Sequence, residues 1–192
     1  MTGSLAYRKH EAAIIRGDVP EKFLRLLPFI NGQRILEIGS AEGVLALLLA
    51  KQGRIVTAVE KSEERHHAAM KLYAEWAARE ERFTAPAFVN GSIVDRLDLL
   101  EGKDTLVAVR MIYYLGDKLD TVFAEVSRKV PNVVLCGNGN RAARWRAGTP
   151  DEPLGEMNRY AAAEGMIDLL VRHGFAAADV TLDGDPIVVG RR

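Results

Sequence analysis

The sequence holds one cysteine, Cys136, among its 192 residues. A disulfide framework within the chain is thereby excluded, and no set of thiolates exists for a structural zinc. Neither sign of charge is in excess, with 26 basic and 26 acidic residues. Bulk electrostatics therefore give no general pull toward nucleic acid or an anionic membrane, which leaves room only for a local basic patch. No apolar run approaches the ~18 residues that span a bilayer, and the opening MTGSLAYRKHEAA is too polar for a secretory signal. The expectation is a cytoplasmic protein without membrane attachment. His66 and His67 lack the acid or cysteine spacing of a metal site, so no metal is expected. What the sequence does contain is apolar residues, at 48%. That content excludes a disordered chain, and the length suffices for one domain with a sizeable core.

Strand-like and helix-like stretches alternate. Residues 5–16 read as a short helix, and PEKFLRLLPFI, 20–30, as a second helical segment. RILEIG is a nearly continuous apolar run and reads as a buried strand, followed by helix LALLLAKQG with a glycine stop at Gly53. Strands are predicted at 54–60, 86–91, from 104 onward and at 132–138; helices at 61–80, 93–100, 117–130 and 156–174. The stretch 139–153 lacks periodicity and reads as a long loop. FAAADVTLD and DPIVVG form two closing strands around the turn Asp183-Gly184-Asp185. The predicted fold is α/β: a Rossmann-like, doubly wound, seven-stranded sheet, mostly parallel with an antiparallel last strand. Residues 1–30 are expected to be an N-terminal helical segment of the same domain, and 31–192 its body, with no linker or internal repeat.

The loop Gly39-Ser40-Ala41-Glu42-Gly43 joins the first strand to its helix, at the sheet end where such folds bind ligands. Gly39 permits a sharp turn, Gly43 close packing of the helix, and Ala41 keeps the surface open. Backbone N–H groups at the helix start are donors for a polar ligand group. The spacing is G-x-A-x-G rather than the G-x-G-x-x-G of dinucleotide sites, and no lysine–serine or lysine–threonine pair makes a phosphate loop. Glu37 is an acid inside an apolar strand, which is costly unless paired; it either faces a ligand's positive or amine-bearing end or caps nearby backbone donors. Glu60 closes the second strand, where a carboxylate accepts both hydroxyls of an adenosine ribose; the alternative is a solvated strand end.

The segments LEIGSAEG at 36–43, VTAVE at 56–60, FVNGSI at 88–93 and DTLVAV at 104–109 resemble class I S-adenosylmethionine-dependent methyltransferases, in the order and spacing of that family, over about residues 30 to 192. The resemblance implies S-adenosyl-L-methionine as cofactor. Gly39, Ser40, Ala41 and Gly43 would lie against its methionine part, Glu37 near its charged end, and Glu60 with Lys61 beside the ribose. Ser92 and Ile93 would meet the adenine. Ser92 stands where the family often has aspartate, and Ala41 where it has glycine. The N-terminal segment, with His10, would contribute to a lid.

Methyl transfer needs alignment and exclusion of water more than a fixed triad, so no catalytic residue is assigned. At the end of the fourth strand Arg110, Met111, Tyr113 and Tyr114 are acceptor-side candidates. Arg110 would orient an acidic substrate, contact the cofactor, or pair with a carboxylate such as Glu37. A tyrosine would position the acceptor or simply pack in the core. Asn138 ends the fifth strand and faces the cleft in this reading, followed by Arg141, Arg144, Trp145 and Arg146, a group able to bind an anion or a stacked base. A small-molecule acceptor is expected, since nothing extends the core fold. The alternatives are an RNA nucleotide or protein side chain as acceptor, an NAD(P)-dependent oxidoreductase, or a non-catalytic protein that keeps the cofactor fold and acts with a partner. Oligomeric state is not legible.

Overall fold

A computed structural model describes residues 18–79, 83–149 and 154–192. The expected helix over 5–16, and His10 with it, lies outside the described residues. The chain then runs through α1 (Glu21–Leu24), β1 (Arg34–Ile38), α2 (Val44–Lys51), β2 (Ile55–Glu60), α3 (Glu63–Arg79), β3 (Ala87–Asn90), β4 (Thr105–Val109), α4 (Leu119–Lys129), β5 (Asn132–Cys136), α5 (Gly139–Arg146), α6 (Ala163–Arg172), β6 (Ala176–Asp179) and β7 (Ile187–Arg191). One seven-stranded sheet has the order β3-β2-β1-β4-β5-β7-β6. Strand β7 runs antiparallel to both of its neighbours, while β1 to β5 pair in parallel. Strand order reverses between β1 and β4, which opens a crevice at their carboxyl ends.

The near-continuous apolar strands follow from a sheet covered on both faces, since successive side chains point to opposite sides. Leu36, Ile38, Leu106, Ala108, Val133 and Leu135 share one core with Phe123 of α4 and Leu169 of α6. Ile35, Val107 and Val134 share the other with Leu45 and Leu49 of α2. Leu26 and Ile30 are buried in that second core, so residues 18–30 pack onto the body of the domain.

Four segments differ from their sequence reading. The segment 20–30 is one α-turn and a 3-10 turn at Leu27–Phe29, because Pro28 removes a donor. The segment 93–100 is two 3-10 turns, Ile93–Asp95 and Leu97–Leu100. The helix expected over 156–174 is a 3-10 turn, Gly155–Ala161, followed by α6, with Ala162 extended between them. Gly165 permits that fold-back: a Cβ there would lie 2.2 Å from the Arg159 carbonyl oxygen. The expected loop over 139–153 begins as helix α5, started by Asn138, whose side chain accepts from the Arg141 N–H. Only Ala142 of this helix is buried, so it carries no apolar period to betray it.

Candidate functional site

A cleft of about 1170 Å³ opens at the carboxyl ends of β1, β2 and β4. Gly39, Ser40 and Ala41 line it from one side. The Gly39 and Ser40 N–H groups both donate to the Val59 carbonyl, at 2.8 and 3.1 Å, which ties the loop to the end of β2. Gly39 and Gly43 have φ of 67° and 73°, and Ala41 one of 49°, so three left-handed residues fold five positions into a tight bend. A Cβ on Gly39 would lie 2.8 Å from the Met111 side chain; one on Gly43 would lie 2.8 Å from the Phe88 ring and 2.9 Å from Ala69. Gly43 thus serves close packing of the bend against β3 and α3.

Glu60 is 8% exposed and lines the cleft. Its two oxygens accept separately, from the Ala41 N–H at 2.9 Å and the Ser62 N–H at 2.8 Å. The backbone therefore fixes the carboxylate plane and leaves further lone pairs on each oxygen. The adjacent Lys61 and, opposite, Ser92 and Ile93 also line the cleft. Ser92 Oγ accepts from the Val94 N–H at 3.3 Å, so this hydroxyl first closes its own turn. Asp95, three residues on, lines the same wall.

Glu37 sits in mid-sheet, in register with Ala58 and Val107, and is 2% exposed. Burial pushes its carboxyl up to about 8; the Ala46 N–H in the first turn of α2 opposes that push, and the nearby Glu60 adds to it. Its Oε2 and the Ser40 Oγ are buried without a hydrogen-bond partner among the described residues, and both residues line the cleft. Buried polar atoms without partners are costly, so this is where a ligand gains most.

On the other wall Arg110 leaves β4 with φ 54°, a strained conformation for a residue with a side chain. Its N–H donates to the Cys136 carbonyl at 2.7 Å. Its guanidinium donates to Asp185 Oδ2 at 2.6 Å, and Asp185 Oδ1 accepts from the Gly139 N–H at 2.9 Å. Of the roles weighed for Arg110, pairing with a carboxylate is realised with Asp185 rather than Glu37, because the left-handed turn at 110 carries the side chain past the strand end to the β6–β7 loop. Tyr113 is 1% exposed and its hydroxyl bonds Asn138; burial, foremost, pushes that hydroxyl up to about 12. Tyr114 is 60% exposed at the cleft mouth. Arg141 stands behind both rings, 5.4 and 5.8 Å from their centroids, and donates to Asn158 Oδ1 at 3.2 Å. Arg146 pairs with Glu164 on the outer face, so the arginines after Asn138 do not converge on the cleft.

The structure therefore brings Glu37, Gly39, Ser40, Ala41, Glu60, Lys61, Ser92, Ile93, Arg110, Tyr113, Tyr114 and Asn138 around one cleft, and sets Arg141 behind its tyrosine wall. Lys22, Arg65, Asp95 and Lys118 line it too, and Asp185 holds Arg110; sequence reasoning missed these five. They come from helix, turn and loop positions with no local pattern, and only the acid in the Asp183–Asp185 turn gave a signal. Among the described residues no group of three or more His, Cys, Asp or Glu is placed to hold a metal ion, and no helix is long and apolar enough to cross a membrane.

The strand order, the antiparallel β7 and the glycine-bearing bend after β1 define the class I S-adenosylmethionine-dependent methyltransferase fold. Magnesium protoporphyrin IX methyltransferase (ChlM) from Synechocystis PCC 6803, solved with bound SAM, superposes with a TM-score of 0.60 at 14% identity, over 97% of this chain and 79% of that one. The methyltransferase domain of bacterial CtHen1-CN gives 0.65 at 16% identity, over 90% and 96%. WbdD, in complex with a kinase inhibitor, gives 0.61 at 14% identity over 89% of this chain, which spans only 38% of that larger protein. No family model and no curated protein sequence matches the chain.

Proposed function

We propose that this protein is a methyltransferase that uses S-adenosyl-L-methionine and methylates a small-molecule acceptor. The observation that carries the reading is Glu60, buried at the end of β2 and oriented by two backbone N–H groups, beside a bend whose surface is bare backbone. The residues fit the cofactor: Glu60 has unused acceptor capacity for the two ribose hydroxyls, and Gly39, Ser40 and Ala41 present the loop surface to the methionine part. Ser40 Oγ and Glu37 Oε2, without partners among the described residues, accept from or donate to its polar end. Lys61, Ser92 and Ile93 flank the nucleoside, with Ile93 as apolar platform. When bound, S-adenosyl-L-methionine supplies a methyl group already activated by a sulfonium leaving group.

A positive group beside Glu37 favours its ionised form, which burial alone disfavours. On the acceptor wall Tyr113 keeps its proton at neutral pH, so it acts as a hydrogen-bond donor that orients an acceptor, with Asn138 fixing the hydroxyl. Arg141 braces the tyrosines. The cleft volume, about 1170 Å³, accommodates a nucleoside cofactor and a small acceptor together. A cytoplasmic location belongs to the same proposal. Paired calorimetric titrations with S-adenosylhomocysteine and with NAD test the reading. Micromolar binding of the first and none of the second is expected; the reverse assigns the cleft to a dinucleotide.

A further inference from the structure

Lys22 and Arg110 each face two cavities. One is the main cleft; the other, of about 390 Å³, lies between α1, the end of β5 and the β6–β7 loop. Most acids around them are committed elsewhere. Glu21 accepts from Arg25 at 2.8 Å, and the Asp183 carboxylate lies 3.5 Å from the same guanidinium. Asp185 is shared by Arg110 and the Gly139 N–H. Glu42 lies 4.0 Å from Arg65.

Lys22 remains. It is half-buried, its ammonium lies 4.7 Å from the centroid of the adjacent Phe23 ring, and it makes no ion pair among the described residues. Burial first, then the charge on Arg110, hold its pKa below the ordinary lysine value. Arg110 is strained into place, with φ 54°, and part of its guanidinium stays exposed beside Asp185. Two cations thus line both cavities, and the one carboxylate paired with them is Asp185, on Arg110. Like charges so placed repel in a partly desolvated site, and an entering anion relieves both the repulsion and the lost hydration.

We propose that Lys22 and Arg110 form an oxyanion-binding subsite at the junction of the two cavities, and that the methyl acceptor carries a carboxylate or phosphate group held there. The identity of the ligand as acceptor rests on the methyltransferase reading; the anion site itself does not. Asp185 and the strained turn at 110 aim the guanidinium, and Lys22 supplies the second contact from α1. The smaller cavity accommodates the remainder of the acidic group's substituent.

The test is calorimetric titration of the full chain, saturated with S-adenosylhomocysteine, with inorganic phosphate and separately with acetate. Saturable binding of one anion in about the millimolar range is expected, and the tighter of the two tells phosphate from carboxylate recognition. Lys22→Gln should weaken that anion roughly tenfold, Lys22→Arg should restore it to within about twofold, and S-adenosylhomocysteine affinity should not move. Equal anion affinity in the wild type and Lys22→Gln, or no saturable binding at all, overturns the subsite. Loss of S-adenosylhomocysteine affinity in Lys22→Gln, with anion binding intact, reassigns Lys22 to the cofactor's own carboxylate and overturns the acceptor assignment. If S-adenosylhomocysteine itself does not bind, the methyltransferase reading fails, and the same titration without it still decides the anion site.

Discussion

The two walls of the cleft are built by different means. On the side of β1 and β2, polar groups are held by nearby backbone: Glu60 takes its donors from Ser62, two residues away, and from the Ala41 bend. On the side of β4 and β5, side chains hold one another across long stretches of chain. Arg110 and Asp185 are 75 residues apart, and Arg141 reaches Asn158 from a different helix. A wall fixed by backbone presents one shape to an invariant ligand, whereas a wall of mutually braced side chains can be altered by single substitutions. The proposed division into a cofactor wall and an acceptor wall follows this contrast.

Substitutions in the first wall should therefore cost more than those in the second. Gly39→Val breaks the comparison most severely. It forces a β-branched residue to φ 67° and into the Met111 side chain, so we expect a loss of about 2–4 kcal/mol in stability and of measurable S-adenosylhomocysteine binding. Melting and calorimetry read the two effects.

Glu37 comes next and shows itself through pH. Its carboxyl is raised from an ordinary 4.5 to about 8 in the folded chain. Between those values the folded state keeps a proton that the unfolded chain has released. Stability of the free protein should therefore fall as pH rises through this window and reach its floor above pH 8. Glu37→Gln should flatten the profile and stabilise the free protein at the alkaline end, read by urea melts at stepped pH. An unchanged slope would mean that Glu37 is solvated or already paired.

Glu60→Ala should weaken S-adenosylhomocysteine by about 1–3 kcal/mol, the scale of a charge-assisted acceptor, and leave the Ala41 and Ser62 amides without their partner. Unchanged affinity removes Glu60 from the ribose. The smallest effect belongs to the second wall. Asp185→Asn frees a partly exposed Arg110, which should cost about 1 kcal/mol of stability or less and leave S-adenosylhomocysteine affinity within about twofold. A large loss of cofactor affinity there would erase the distinction between the walls.

The same contrast explains what was legible beforehand. The alternating strands, the C-terminal antiparallel pair and the β1–α2 bend rest on local periodicity and glycine spacing, so LEIGSAEG and VTAVE could be read directly. The partner of Arg110 could not, because nothing near residue 110 marks residue 185. Helix α5 was hidden because only Ala142 of its eight residues is buried, so capping by Asn138 rather than an apolar stripe starts it. Lys22 carries no local signal either, since only the folding of α1 onto the end of the sheet brings it to the cleft. In the 156–174 segment the apolar period ran unbroken through a chain reversal that Gly165 permits at close backbone approach.

A crystal of the protein soaked with S-adenosylhomocysteine tests the central claim most directly. The account predicts both ribose hydroxyls within hydrogen-bond distance of the Glu60 carboxylate, with the Ala41 and Ser62 amides still donating to it and the Gly39–Ala41 backbone against the amino-acid part. A nucleoside seated elsewhere, or a Glu60 carboxylate rotated away from the sugar, would contradict it.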